Sequence, residues 1–183
     1  MKRFTSTITF LLVLLVASCK TDPSGTNKAR PFFNFQAYFL NEVALLKKNN
    51  VVLTKTVINE NSSETLVINE VDWLTELQSF IAVDINKPAL LSAYRTDSLQ
   101  NGTRTLIQYK AKDTSPQIRN IVIKQNLNIP DTIIITRIMS NTYVSSTEIM
   151  YYYGNGNFEI NVENNPVAGK KIAFVLKGVA GKI

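Results

Sequence analysis

The sequence contains no histidine and only one cysteine among its 183 residues. The chain therefore cannot form a Ser/His or Cys/His catalytic pair, or a zinc site that uses imidazole ligands. A single cysteine also excludes a disulfide within the chain. Charged residues make up 19% of the sequence, which is below the ~25% typical of globular proteins. Together with abundant Ile, Val and Thr, this composition predicts an ordered, β-rich chain with the length of one domain.

Several motifs that carry known chemistry are also missing. The sequence has no nucleophile elbow, no Ser-x-x-Lys, and no Walker or dinucleotide-binding glycine motif. The cationic residues are scattered, although the net charge is +6, and nucleic-acid binding requires a basic stripe. We therefore expect no catalytic residues, no metal ligands, no cofactor and no nucleic-acid partner.

The amino terminus has the pattern of a secretory leader. A basic pair at positions 2 and 3 precedes a largely apolar run over 8–16, and the small residues Ala17 and Ser18 follow. A basic start, an apolar segment and a small-residue cleavage site define a signal peptide. The run is shorter than the ~20 apolar residues that a membrane-spanning helix needs. Residues 1–18 are therefore predicted to be a signal peptide.

The leader ends in Val16-Ala17-Ser18-Cys19, which resembles the lipobox of bacterial lipoproteins. In that family the leader is cut just before a cysteine that then carries the lipid. The resemblance implies that Cys19 is lipidated and attaches the chain to a membrane, for which more than one acyl chain is needed. An ordinary signal peptide followed by an incidental cysteine is the alternative.

The residue after Cys19 bears on the location of the protein. In Gram-negative lipoproteins an Asp at this position resembles an inner-membrane retention signal, and here the residue is Lys20. We therefore expect outer-membrane placement, with the chain facing the periplasm. The polar segment 19–30 is predicted to be a flexible tether, and 31–183 a single α+β domain.

Hydrophobic spacing predicts the elements of the first half of that domain. Apolar residues recur at helical spacing over 35–46 and 70–82, and β-branched residues dominate 51–59 and 64–68. The first two segments are predicted to be helices and the other two to form a β-hairpin. A short helix is predicted over 89–94.

The second half is predicted to be a β-meander. Six β-type segments alternate with turns that are too short to contain crossover helices, so the strands should pair antiparallel. These segments are 104–112, 117–125, 132–139, 142–152, 157–163 and 171–177. The predicted fold is α+β, with two N-terminal helices and a β-hairpin packed on a curved antiparallel meander of about six strands.

Two carboxylates and a group of aromatic residues are the candidate site residues. Asp72 and Glu76 would share one face of the predicted helix, as a glycosidase pair or hard-cation site could, but a solvated helix face is the favoured explanation. Tyr151 and Tyr153 would share one face of a strand. With Trp73 they are candidate surface or ligand contacts, and cross-strand packing at a hairpin end is the alternative.

The segment from Asp72 through Phe80 to Tyr94 resembles small uncharacterised lipoproteins of Gram-negative bacteria, as does the Tyr-rich strand. That resemblance implies a lipoprotein but no activity. A helix-plus-meander lipoprotein also resembles carriers of the lipoprotein-localisation type, in which a half-open sheet and helices enclose an apolar cavity.

Three functions remain open from the sequence. The first is a non-catalytic, membrane-anchored periplasmic lipoprotein that acts as a binding or accessory module and docks a protein partner. The second is a carrier of a lipid or other apolar ligand, in which Trp73, Phe80 and Phe39 would leave a cavity of several hundred Å³. The third is a hydrolase that uses the Asp72/Glu76 region.

Overall fold

A computed structural model describes residues 31–181. Strands dominate this part of the chain, and α1 is its one helix longer than four residues. The elements in chain order are α1 (Phe35–Lys48), β1 (Val52–Asn59), β2 (Ser63–Ile68), α2 (Trp73–Glu76), α3 (Gln78–Ile81), a 3₁₀ turn (Pro88–Leu90), β3 (Tyr94–Asn101), β4 (Arg104–Ala111), β5 (Ile118–Asn126), β6 (Ile129–Ser140), β7 (Val144–Tyr152), β8 (Phe158–Pro166) and β9 (Ile172–Gly181).

All nine strands belong to one open antiparallel sheet with the order β2-β1-β9-β8-β7-β6-β5-β4-β3. Strands β3 to β9 form a continuous meander, and β1 pairs with β9 along its whole length, with Leu53 opposite Ala180 and Asn59 opposite Phe174. The predicted fold is therefore wrong. The β1–β2 hairpin does not pack on a separate meander but extends the same sheet by two strands.

Strand β3 lies where the sequence predicted no strand. A short helix was expected over 89–94, but only the 3₁₀ turn forms there, and Tyr94 begins the strand. Of the eight residues of β3, seven are exposed, because β3 is the edge strand of the sheet. When both faces of an edge strand are exposed to solvent, its sequence lacks the alternation of apolar and polar residues from which a strand is predicted.

The helix predicted over 70–82 is two short helices. Asp72 is the N-cap of α2, and the backbone breaks at Leu77 before α3 begins. Trp73, Leu77 and Phe80 are all buried. Apolar spacing identified these buried side chains but not the break, because a straight and a bent helix bury the same residues.

The helices cover one face of the sheet through aromatic contacts. The ring centroid of Phe39 in α1 lies 5.0 Å from that of Tyr152 in β7 and 5.2 Å from that of Phe80 in α3. Ahead of α1, Phe32 packs 5.3 Å from Tyr109 in β4. The Phe39–Tyr152 and Phe32–Tyr109 pairs are edge-to-face, a geometry that adds to the free energy gained by burying the rings. The core is therefore a layer between the helices and one sheet face.

One glycine makes room for this layer. A Cβ on Gly178 in β9 would overlap three ring carbons of Phe158, the farthest of them at 2.8 Å. Phe158 is 2% exposed and lies opposite Gly178 in the neighbouring strand. The ring therefore occupies the space that a side chain at position 178 would fill.

We predict that Gly178→Ala lowers the free energy of unfolding by about 1–3 kcal/mol, the usual cost of overpacking a core. Urea denaturation followed by circular dichroism measures the loss. Gly181→Ala, on the same strand, is the matched control, because its Cβ would approach only Val52 Cγ2 at 3.7 Å. Equal midpoints for the two variants would contradict the prediction.

A buried hydroxyl links α1 to the sheet. The Tyr152 hydroxyl donates a hydrogen bond to the Glu42 carboxylate and accepts one from the Gly156 N–H at 3.0 Å. Burial, and next the bond to the carboxylate, raise the pKa of Tyr152 well above the value usual for tyrosine. The folded state therefore retains this proton more strongly than the unfolded chain does.

We predict that Tyr152→Phe lowers the free energy of unfolding at neutral pH by about 1–3 kcal/mol, because the Gly156 N–H and the Glu42 carboxylate lose their partner. The stability that Tyr152 contributes is fully present below the unfolded pKa near 10 and is lost as pH rises above it. The free energy of unfolding, measured from neutral to alkaline pH, should therefore fall less steeply with pH in the variant than in the wild type. Tyr143→Phe, at a tyrosine that is 79% exposed, is the control and should match the wild type.

Candidate functional site

No helix within 31–181 covers the second face of the sheet, which we call the helix-free face. Its side chains are half-buried against one another, and aliphatic groups alternate with amides and hydroxyls. One registered row crosses six strands: Asn120, Thr136, Ile149, Asn161, Val175 and Ile58. This face therefore offers solvent both apolar surface and hydrogen-bonding groups.

A groove of about 350 Å³ lies on the helix-free face, across β1, β9, β8 and β7. We call it the open-face groove. The side chains that define it are Ile58, Thr147, Ile149, Asn161, Glu163 and Val175. Its walls are aliphatic, and Glu163 at one end forms an ion pair with Lys171 at 2.7 Å, which lowers the pKa of the Glu163 carboxyl.

Asn161 supplies a polar group within the open-face groove. Its Oδ1 atom is buried and has no hydrogen-bond partner among the described residues; the other such buried side-chain atom is Arg119 Nε. Ile149 and Val175 flank Asn161 in the two neighbouring strands. An unpaired buried acceptor costs about 1–3 kcal/mol. The open-face groove therefore suits a mostly apolar ligand, and an N–H or O–H donor that displaced the side chains covering Asn161 Oδ1 would satisfy this atom.

Tyr151 and Tyr153 lie together on the helix-free face. Their rings are nearly parallel, at an interplanar angle of 9° and a centroid distance of 6.1 Å, and Tyr153 is 49% exposed. Beside them, Glu159 pairs with Lys177 at 3.2 Å. Partial burial, and next the charge of Glu159, raise the pKa of the Tyr153 hydroxyl. The two tyrosines form an accessible aromatic surface on the face that contains the open-face groove.

Trp73 lies on the other side of the sheet, in the core. It is 1% exposed, and its Nε1 donates a hydrogen bond to the Val51 carbonyl at 3.2 Å. Phe39 and Phe80, the other two side chains expected to border a carrier cavity, are 0% exposed. These three side chains therefore fill the helix side of the sheet, and Trp73 is not part of the helix-free face.

The two carboxylates proposed for hydrolysis have separate structural partners. Asp72 accepts the Thr75 hydroxyl at 2.7 Å and the Leu74 N–H at 3.2 Å, and the bond from Thr75 is the main cause of its lowered pKa. Glu76 pairs with Lys55 at 2.8 Å and so joins α2 to β1. Between Pro31 and Gly181, no three acidic or cysteine side chains converge as a metal site would require.

A second depression, of about 440 Å³, lies between the end of α1 and β9. The Asn157 side chain lines it, but both ends of this amide are already bonded: Oδ1 accepts the Ala180 N–H at 3.1 Å, and Nδ2 donates to the Gly154 carbonyl at 3.1 Å. This amide fixes the turn before β8. The depression is therefore a weaker candidate than the open-face groove.

Sequence reasoning singled out Tyr151 and Tyr153 as candidates but did not single out Asn161 and its aliphatic neighbours. Alternation along 157–163 could place Asn161 on a face shared with Glu159. It could not show that this face lacks helices, or that β9 and β1 would bring Val175 and Ile58 beside it. Cys19, the lipobox, the leader and the tether lie outside the described residues.

Comparisons with known proteins found no relative of this chain. The chain matches no protein-family model, no curated protein and no solved structure. The likeness to lipoprotein carriers therefore remains a prediction from the sequence. Within the described part of the chain, no helix has the length and apolar character needed to span a bilayer.

Proposed function

We propose that the protein is a non-catalytic lipoprotein, anchored through Cys19 to the outer membrane and facing the periplasm, and that it acts as a binding module through its helix-free face. The open-face groove carries this proposal. A binding site needs accessible apolar surface and a few polar groups that orient the ligand. Ile149 and Val175 provide the apolar surface, and Asn161 provides an acceptor that the fold leaves unpaired.

The size of the groove limits what it binds. A volume of about 350 Å³ is at the lower end of the range for small-molecule pockets. It accommodates a small apolar molecule or one apolar side-chain group of a partner protein, but not a whole lipid. Carriage of an apolar ligand is the second candidate function, and this same groove supports it. Mass spectrometry of the intact protein under native conditions separates the two, because a carrier should retain a ligand through purification.

Hydrolysis receives no support from the arrangement of the carboxylates. Asp72 caps α2 and Glu76 is paired with Lys55. A glycosidase needs two carboxyl groups about 5–9.5 Å apart that face one substrate. The hydrogen bonds of Asp72 and the ion pair of Glu76 instead give both residues structural roles.

The first test concerns the anchor. We predict that cells supplied with an alkyne fatty acid label the wild-type protein and not Cys19→Ser, and that the variant moves from the membrane to the soluble fraction. The folded domain should be unaffected, because Cys19 precedes the first described residue by 12 positions. Unlabelled wild-type protein in the soluble fraction would refute the anchor.

The second test concerns the open-face groove and uses N-phenyl-1-naphthylamine, an uncharged apolar dye with one N–H donor. The Cys19→Ser protein serves here, since it avoids detergent micelles that would also take up the dye. We predict saturable binding that Asn161→Leu weakens about tenfold, because one hydrogen bond contributes roughly 1–1.5 kcal/mol. Stability should not fall, since the substitution removes a buried amide oxygen that has no hydrogen-bond partner.

Thr136→Val is the control for this measurement, because Thr136 lies in the same registered row but outside the open-face groove. It should leave the dye affinity unchanged. Absence of saturable binding to the wild type, or equal affinity in Asn161→Leu, would rule out the groove as the binding site.

A further inference from the structure

Four large aliphatic side chains are exposed together at one end of the sheet, on two adjacent hairpins. Leu99 and Leu106 are a registered pair next to the β3–β4 turn, and Leu127 and Ile129 lie at the β5–β6 turn. Their exposed fractions range from 37% to 70%. The Leu127 N–H donates to the Thr103 carbonyl at 2.8 Å, which holds the two turns side by side. We call these four residues the hairpin patch.

Leu127 has an unusual backbone conformation for its residue type. Its φ is +49° and that of Asn128 is +65°, so both central residues of the two-residue turn are left-handed. Such turns favour Asn, Asp or Gly at both positions, and a bulky residue with positive φ is an outlier. Neither local conformation nor burial explains a leucine at the tip of this hairpin. A contact between Leu127 and a surface outside the domain would explain it.

The hairpin patch has cationic neighbours. Arg104 and Lys124 line a shallow groove of about 330 Å³ together with Leu99 and Leu106, and one acidic residue, Asp131, also lines it. Neither cation forms a salt bridge to any described residue. Aliphatic tips flanked by free cations suit an anionic lipid surface, because the aliphatic groups enter the acyl region and the cations attract the headgroups.

Charge is also separated across the whole sheet. Residues 94–126, which include β3, β4 and β5, contain six cationic and two acidic residues, a net charge of +4. Residues 60–76, which include β2 and the helix α2 beside β1, contain five acidic residues and no cationic one. Strands β2 and β3 are the two opposite edges of the sheet. An anionic surface would therefore attract the hairpin-patch edge and repel the other.

We propose that the hairpin patch docks on the anionic lipid surface to which the protein is anchored, with Leu127 and Ile129 inserted among the lipids and Arg104 and Lys124 against the headgroups. This inference rests on the proposed anchor at Cys19. The 12 positions between Cys19 and Pro31 span at most about 40 Å. Phe32, at the start of the domain, packs on Tyr109. Tyr109 lies five residues from the β3–β4 turn, which is about 17 Å along the strand. The hairpin patch therefore lies within the reach of the segment that follows Cys19.

The test uses full-length protein reconstituted into vesicles of phosphatidylcholine and phosphatidylglycerol whose acyl chains carry bromine, a quencher of fluorescence. A fluorescent thiol label is placed at Leu127→Cys or Ile129→Cys, and at Val67→Cys as control. Val67 is 59% exposed and lies on β2, at the opposite edge. We expect several-fold stronger quenching at positions 127 and 129 than at position 67. The contrast should disappear when Arg104→Gln and Lys124→Gln are added, or when phosphatidylglycerol is omitted.

Two results would overturn the proposal. One is equal quenching at all three positions. The other concerns the protein without vesicles. If the label at position 127 is protected from quenching by aqueous iodide, and this protection rises with protein concentration, a second copy of the chain covers the patch.

Failure of the anchor is measured separately. Cys19 is the only cysteine of the unsubstituted chain. The thiol label should therefore not react with this chain if Cys19 is acylated, and should attach to Cys19 if its thiol is free. A free thiol would refute the anchor at Cys19. The quenching contrast, after subtraction of the signal from Cys19, would still decide whether the hairpin patch contacts lipid.

Discussion

The pairing of β1 with β9 is the constraint on which the rest of the structure depends. Eight registered residue pairs join the first strand to the last, so the early hairpin and the late meander become one sheet. The helices precede β1 or connect β2 to β3, and the Lys55–Glu76 ion pair holds α2 over β1 on the same side as α1. One face is thereby covered and the other left open. The open-face groove, which needs β1, β9, β8 and β7 together, exists only because of this pairing.

The two faces differ in how their polar groups are satisfied. On the helix side, Tyr152 uses its hydroxyl as both donor and acceptor, and Arg137 directs its guanidinium at Glu148 in the neighbouring strand. Both members of that pair are less than one-fifth exposed, and burial of charges is tolerated when they are bonded in this way. On the helix-free face, Asn161 has a buried acceptor without a partner. This unpaired oxygen is the basis of the proposal that recognition takes place on the helix-free face.

The sequence predicted the elements whose signal is local and missed those set by distant contacts. Helix α1 and strands β4 to β9 follow from apolar periodicity and β-branched runs, and the shared face of Tyr151 and Tyr153 follows from strand alternation. The polar edge strand β3 and the break at Leu77 leave no comparable pattern. The register of β1 against β9 joins segments more than a hundred residues apart, and no local pattern encodes it. The predicted aromatic surface was therefore accessible to sequence reasoning, whereas Asn161 was not, because its meaning depends on which face lacks helices.

The groove and the hairpin patch together imply a definite orientation of the domain. From β8, which carries Asn161, to β4, which carries Leu106, the sheet crosses four strand intervals, or about 19 Å at the usual spacing. If the hairpin patch contacts the bilayer, the open-face groove lies beside the membrane rather than within it. The acidic edge around β2 then faces away from the anionic surface, which lowers the electrostatic energy of this orientation relative to the reverse one. If the domain is anchored as proposed, this orientation presents the open-face groove to molecules close to the membrane.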